Sequence, residues 1–449
     1  MTPRAVAMHV LMQVARRASF PDALLDIYFK EHPKLDARDR ALVTELVYGV
    51  LRWQGRLDWI IDQHVKVKPD KIALPVRVLL RLATYQLLFL DRIPPAAAVD
   101  EAVELSKVSQ PQYIVRFVNG VLRTVARKRE ILKKADQQGD RAERLARRHS
   151  YPVWLVRRWL AEMGEEETEA FCAASNQIAP ISIRANTLKT SPGALAAALR
   201  GIGFSLESGT WAPEALRLRG IRTDLSCLLP YQRGEFQVQD EASQLVGHLV
   251  DPKPGQRVLD ACAGMGVKTT HLAQLMENRG VIRAVDRQGW KLNRLTENAR
   301  RLQISCIEPL EADVLDLESC GGQDQFDRIL LDAPCTGLGV LRRNPDIKWK
   351  VKPKDFYRLH LLQKQMLSRL APLLRAGGAL VYATCTVSAE ENEATVRAFL
   401  SEHPDFYPDS ASLRVAGMCE DGLGQAGMLR TLPHRHGIDG FFAVRLRRK

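Results

Sequence analysis

Arg328-Ile329-Leu330-Leu331-Asp332-Ala333-Pro334-Cys335-Thr336-Gly337 reads as a buried strand that stops at reactive side chains. Ile329, Leu330 and Leu331 run without polar alternation, the pattern of a parallel strand covered on both faces. Asp332 and Pro334 supply the turn chemistry that ends it. Ligands of open α/β sheets sit just beyond the carboxyl ends of strands, and here that position offers an acid, Asp332, and a thiol, Cys335. A second such strand over residues 379–384 runs into another thiol, Cys385. From residue 237 outward, strands and helices alternate, the signature of a doubly wound sheet. Residues 258–260 and 281–286 read as strands, 268–276 and 289–302 as their helices, and 440–446 as a closing antiparallel strand. The expected domain is a Rossmann-like α/β fold over residues 236–449.

The first strand turns through Asp260-Ala261-Cys262-Ala263-Gly264-Met265-Gly266-Val267-Lys268. Glycines at that place let backbone approach a nucleotide-like ligand closely. The glycine spacing is too short for a Walker loop, so a phosphate cradle is disfavoured. Asp286 ends the second strand 20 residues after Gly266, where an acid can accept hydrogen bonds from two ribose hydroxyls. Asp313, after a third strand, is placed to meet the adenine or its surroundings. Each aspartate alone is most often a turn residue or a helix cap. In register with a βαβ pattern, together they point to an adenosine-type cofactor.

The thiols separate NAD from S-adenosylmethionine. Carbon 5 of a pyrimidine is a poor nucleophile until a thiolate adds at carbon 6 and turns the ring into an enamine able to attack a sulfonium methyl group. Loss of the carbon 5 proton and expulsion of the thiol then restore aromaticity. A neighbouring carboxyl assists as charge develops on the ring nitrogen. Singly, Cys335 and Cys385 would read as small buried residues; as a strand-end pair beside an acid they read as chemistry.

The front of the chain is helical. Thr2-Pro3 is a cap-plus-proline start, Asp36 a second cap, residues 57–61 continue a third helix, and residues 76–88 form a strongly apolar fourth. These elements make an all-α domain over residues 1–135, with arginines and lysines mostly outward. Residues 133–148 read as a helix tail and linker. A small α+β module follows over residues 145–235, with a strand at 181–187 and a helix from Ala194.

A length of 449 residues requires several domains, and 46% apolar with 26% charged residues describes a soluble globular chain. The net charge of +13 suits a polyanion, nucleic acid before membrane, although many proteins are merely basic. Eight cysteines, at 172, 227, 262, 306, 320, 335, 385 and 419, include no CxxC pair, so no metal site is expected. Their scatter fits a reducing cytoplasm, and neither a leader nor a membrane-spanning run is read.

Several stretches carry resemblances. Tyr48-Gly49-Val50-Leu51-Arg52, residues 81–88 and Phe117-Val118-Asn119-Gly120-Val121-Leu122-Arg123 resemble the RNA- and protein-binding NusB bundle. Asp332-Ala333-Pro334-Cys335-Thr336-Gly337, Ala383-Thr384-Cys385-Thr386 with Asn392-Glu393, and residues 234–243 are similar to the motifs of Sun-family RNA cytosine-C5 methyltransferases, the branch with a NusB-like front. The resemblance implies a class I fold, S-adenosyl-L-methionine as cofactor and a monomeric cytoplasmic enzyme acting on 16S ribosomal RNA. Transfer RNA, another ribosomal site and a non-catalytic assembly factor stand as alternatives. It implies Cys385 as nucleophile, Cys335 as the helper in product release, Asp332 beside cytosine and methyl donor, and Lys268 near the reacting atoms. Cys262, Ala263, Gly264, Met265, Gly266, Val267, Lys268, Asp286, Asp313 and Asp332 would hold the cofactor. The family's loop is Cys-Ala-Ala-Pro-Gly-Gly-Lys, so Gly264, Met265 and Val267 are departures. A β-branched Val267 resists positive φ, so the turn is expected to differ, with Gly264 restoring freedom and affinity altered.

Overall fold

The computed structural model describes residues 2–17, 20–132, 138–220, 224–316, 325–409 and 428–449. Cys320, Cys419 and the first residues of the expected linker, 133–137, lie outside them. The chain forms two compact units, Met1–Asn176 with Lys348–Lys350, and Gln177–Ile347 with Val351–Lys449.

The first unit holds α1 (Pro3–Arg17), α2 (Pro21–Glu31), α3 (Ala37–Asp62), α4 (Leu74–Phe89), α5 (Pro95–Lys107), α6 (Gln112–Leu132), α7 (Arg141–His149), α8 (Val153–Met163) and α9 (Glu165–Ser175). Asp36 caps α3 by accepting from the Asp39 N–H at 2.8 Å. Where the sequence suggests two helices, α3 is a single one of 26 residues. No proline interrupts it, and Gly49 serves packing: a Cβ there would lie 2.1 Å from Tyr85 Cζ of α4. Leu46, Val50 and Leu57 join Val6, Val10 and Leu82 in one apolar cluster, while Ile60, Leu80 and Val118 anchor another. Not every arginine faces outward as periodicity suggests. Arg77 is buried and meets Asp62 at 2.5 Å, and Arg81 meets Asp58 at 2.6 Å, tying α4 to α3. Part of the expected linker is helix α7, started by a capping box in which Asp140 and Glu143 satisfy each other's backbone N–H groups.

The second unit opens with β1 (Ile181–Ala185), α10 (Pro192–Gly201), β2 (Ser205–Ser208), β3 (Ala215–Arg219), α11 (Leu229–Gln232) and β4 (Phe236–Val238). The four strands form an antiparallel sheet in the order β2-β3-β1-β4, with α10 packed on it. There follow α12 (Glu241–Val250), β5 (Arg257–Asp260), α13 (Val267–Leu275), β6 (Val281–Asp286), α14 (Gly289–Leu302), β7 (Ile307–Glu311), β8 (Phe326–Asp332) and α15 (Ile347–Lys350). The chain continues through α16 (Pro353–Leu370), β9 (Leu374–Thr384), α17 (Thr395–Glu402), β10 (Phe406–Pro408), β11 (Met428–Thr431), α18 (Pro433–His436) and β12 (Phe441–Arg448). These strands build a mixed sheet in the order β10-β12-β9-β8-β5-β6-β7, with β11 paired to β12. β9, β8, β5, β6 and β7 run parallel; β12 runs antiparallel to β9.

The uninterrupted apolar runs follow from burial on both faces. Leu259, Ile329, Leu331 and Leu380 point into one core, Val258, Leu330, Val381 and Ala383 into the other. Register then aligns the strand ends. Asp332 pairs with Ala383, and Asp260 with both Leu330 and Ala284, so the carboxyl ends of β5, β6, β8 and β9 form one rim. Among the described residues, no helix is long and apolar enough to cross a membrane.

Candidate active site

The parallel register of β8 and β9 places Asp332, Cys335 and Cys385 at the same end of adjacent strands. The two sulfurs lie 3.4 Å apart, and both thiols are partly exposed. Their spacing depends on a loop laid tightly across the rim. Gly339 N–H donates to the Cys385 carbonyl at 2.9 Å, and Gly440 N–H donates to the Gly339 carbonyl at 2.8 Å. A Cβ on Gly339 would stand 1.9 Å from the Gly440 oxygen, so only glycine permits this approach.

A buried polar lattice supports the pair from below. Glu391 accepts from the Thr336 N–H at 2.8 Å, the Thr336 hydroxyl at 2.5 Å and the Gln363 amide at 3.2 Å. Thr336 and Thr386, the residues following the two cysteines, bring their hydroxyls within 2.7 Å of each other. The Gln363 amide also donates to the Pro334 carbonyl at 2.9 Å, and Asn392 donates to the Thr386 carbonyl at 3.0 Å. Glu391 lies in a π-helical segment, Glu390–Ala394, a backbone form that recurs at functional sites. Sequence reasoning singles out Asn392 and Glu393 but misses Glu391, Thr336 and Gln363. The repeated Cys-Thr pair is the available signal.

The two thiols meet different electrostatic surroundings. The hydrogen bond with Cys385, then burial, then the Glu391 charge raise the Cys335 pKa well above that of an ordinary thiol, so Cys335 keeps its proton. Cys385 is the sulfur within electrostatic reach of the Lys268 ammonium. Lys268 pairs with Asp332 at 2.7 Å and lies 5.0 Å from the Phe441 ring centroid. Burial disfavours its charge, but Asp332 more than offsets this and its pKa is raised. Under the pair, Asp260 accepts the Thr269 hydroxyl at 2.7 Å, and burial pushes its pKa up to about 7. A protonated thiol, a thiol facing a cation and a carboxylate at one rim can perform nucleophilic addition with proton transfer.

A cleft of about 380 Å³ adjoins this group, lined among others by Cys262, Gly264, Asp286, Asp313, Asp332 and Pro334. Its volume lies in the range of small-ligand sites. Gly264 and Gly266 take positive φ, +55° and +80°, while Val267 simply begins α13. The expected conflict at Val267 therefore does not arise, because the left-handed positions fall on the glycines. Ala263 is buried and donates to the Val285 carbonyl at 2.8 Å, whereas Met265 is exposed. Gly264 N–H reaches Asp286 Oδ2 at 3.0 Å, and Gln288 N–H reaches Oδ1 at 2.9 Å. A carboxylate has about four acceptor positions, so Asp286 retains capacity for a diol. Asp313 accepts from the Leu315 N–H at 2.9 Å at the far wall. Space beside Gly264 is open: a Cβ placed there would meet no atom within 4 Å. The donor set and the open backbone fit an adenosine cofactor. Of the ten positions read for the cofactor, Cys262, Gly264, Asp286, Asp313 and Asp332 line this cleft, whereas Ala263, Met265, Gly266, Val267 and Lys268 are not among its lining residues; Lys268 reaches it through its ion pair with Asp332.

Three family descriptions match the chain in succession: the NusB family over residues 1–127, a Methyltr_RsmF/B-like ferredoxin-like domain over 151–223, and the 16S rRNA methyltransferase RsmB/F over 247–447. The chain is 37% identical to a probable ribosomal RNA small subunit methyltransferase B of Bacillus subtilis (strain 168), covering 99% of this chain and 98% of that one. It is 36% identical to the protein of the same description in Synechocystis sp. (strain ATCC 27184 / PCC 6803 / Kazusa), covering 99% of each. Among solved structures, "Crystal Structure of PH0851" superposes with a TM-score of 0.84 at 29% identity, covering 100% of this chain and 99% of that one.

Proposed function

The chain belongs to the RsmB/F family of S-adenosylmethionine-dependent ribosomal RNA methyltransferases, and from that premise we propose that it methylates carbon 5 of one cytosine in 16S rRNA through a covalent adduct on Cys385. The observation that carries the reading is the pair of sulfurs 3.4 Å apart at the ends of two adjacent strands, on the rim that also holds the Lys268–Asp332 ion pair. The Gly264–Lys268 turn, Asp286 and Asp313 would hold S-adenosylmethionine, which would supply an electrophilic methyl group.

The protein's own groups perform the rest. Cys385 gives up its thiol proton to solvent beside the Lys268 ammonium, and the freed electron pair forms the S–C6 bond of the cytosine. Electron density moves through the ring to carbon 5, and the Lys268 ammonium, held by Asp332, offsets the negative charge developing on the ring. Once carbon 5 carries the methyl group, its remaining proton passes to the Cys335 sulfur as the S–C6 bond breaks and the electron pair returns to the Cys385 sulfur. Cys335 assists this release by exchanging its proton at the departing sulfur. Glu391, Thr336 and Gln363 touch no reacting atom; they hold the Cys335 loop at the right distance. A cytosine in a loop reaches such a site at lower cost than a paired one, which must be extracted.

Bisulfite sequencing of rRNA from cells with and without the gene tests the proposal. A single 16S cytosine should lose protection on deletion. Unchanged 16S protection would overturn the substrate assignment, and loss of protection in transfer RNA instead would redirect it.

A further inference from the structure

Away from the thiols and the cofactor cleft, three side chains from distant parts of the second unit converge. Glu214 precedes β3, His248 lies on α12 and His271 on α13. One ligand atom from each lies within 4.8 Å of the other two. His248 Nε2 donates to Glu214 Oε2 at 2.9 Å, and the two imidazole rings meet edge to face at 5.1 Å. His271 is fully buried, yet neither of its ring nitrogens has a hydrogen-bond partner. Buried polar groups in folded chains are almost always satisfied, and an exception calls for a ligand or a water. Space for this ring is reserved: a Cβ on Gly247 of α12 would stand 2.4 Å from His271 Nδ1. Gln244, one turn before His248 on the same face of α12, also has a buried, unpartnered Oε1.

We propose that Glu214, His248 and His271 form a structural site for a divalent transition metal, Zn²⁺ above all. Two imidazoles and one carboxylate are a borderline-soft donor set that suits zinc and ill suits magnesium or calcium, which take oxygen ligands. Arg184 brings a positive charge nearby, but its guanidinium is engaged with Gln239, Gln274, Val267 and Thr270 and leaves the Glu214 carboxylate to the ion. Binding exchanges the His248–Glu214 hydrogen bond for two metal bonds, the ring proton of His248 passing to Nδ1 or to solvent. The ion would join the small sheet to α12 and to α13, where His271 stands one turn beyond Lys268.

Tag-free full-length protein, stripped with a chelator and dialysed against Zn²⁺, should retain one zinc per chain by plasma mass spectrometry. Co²⁺ substitution should give visible d–d absorption without a thiolate charge-transfer band. His248→Gln and Glu214→Gln, at positions not fully buried, should keep native circular dichroism. Each should weaken zinc binding by at least the roughly 10- to 100-fold that even outer-shell substitutions produce. Absence of stoichiometric zinc from the folded wild type, undiminished affinity in both variants, or a thiolate band would each overturn the assignment.

Discussion

The two walls of the active-site rim are built by opposite means. At the thiol wall, side chains hold side chains: Glu391 gathers Thr336 and Gln363, Thr336 meets Thr386, and Gly339 is pinned between the Cys385 and Gly440 backbones. At the cofactor wall, backbone does most of the work, with Gly264 and Gly266 in left-handed turns and Met265 exposed between them. The first wall has little slack, which suits the proposed positioning of reacting atoms; the second leaves open space beside Gly264 for the proposed cofactor.

Three substitutions separate the walls. The largest effect belongs to Cys385→Ser, which should lower methyl transfer from labelled S-adenosylmethionine to 16S rRNA by about 10⁴-fold or more, the scale of losing a covalent nucleophile. Cofactor affinity by calorimetry should stay unchanged. Cys335→Ser should slow turnover by about 10²-fold or more and leave a protein–RNA adduct visible on a denaturing gel. Wild-type turnover with no adduct would remove Cys335 from its role. On the other wall, Asp286→Asn should weaken S-adenosylmethionine binding by about 10- to 100-fold, the loss of a charged hydrogen-bond acceptor, while cofactor saturation recovers much of the rate.

The smallest effect sits beneath both walls. Asp260 has a pKa near 7 in the folded chain against about 3.9 when unfolded, so folding retains a proton over that interval. Its stabilising contribution is full below pH ~4, declines as pH rises and levels above pH ~7. Asp260→Asn should therefore gain a few degrees in Tm relative to wild type between pH 5 and pH 8, at about 2–4 °C per kcal/mol for domains of this order. A pH-independent difference would contradict the buried, proton-holding state.

The sheet was legible because its signals are local. Ile329-Leu330-Leu331 declares a doubly covered strand, Asp260 and Asp286 mark strand ends, and the glycines around Met265 mark a turn. What was hidden depends on pairing between distant segments. Glu391 becomes a partner of Thr336 only once β8 lies beside β9, and nothing in its own neighbourhood announces that. Glu214, His248 and His271 are likewise scattered, and a search keyed to cysteine spacing passes over them. Helix α3 reads as two elements, yet it runs unbroken from Ala37 to Asp62 with Gly49 packed against Tyr85 of α4. The outward rule for arginine fails at Arg77, whose aspartate partners lie on α3, outside its own helix.

The contact between Gly339 and Gly440 also orders events in time. Chains emerge from the ribosome amino end first, and Gly440 comes later than either cysteine. A nascent chain made only as far as Thr386 already carries both thiols but lacks the Gly440 backbone that pins their loop. The contact that pins this loop is thus completed by a residue that arrives after both thiols, so an unfinished chain holds its sulfurs without it.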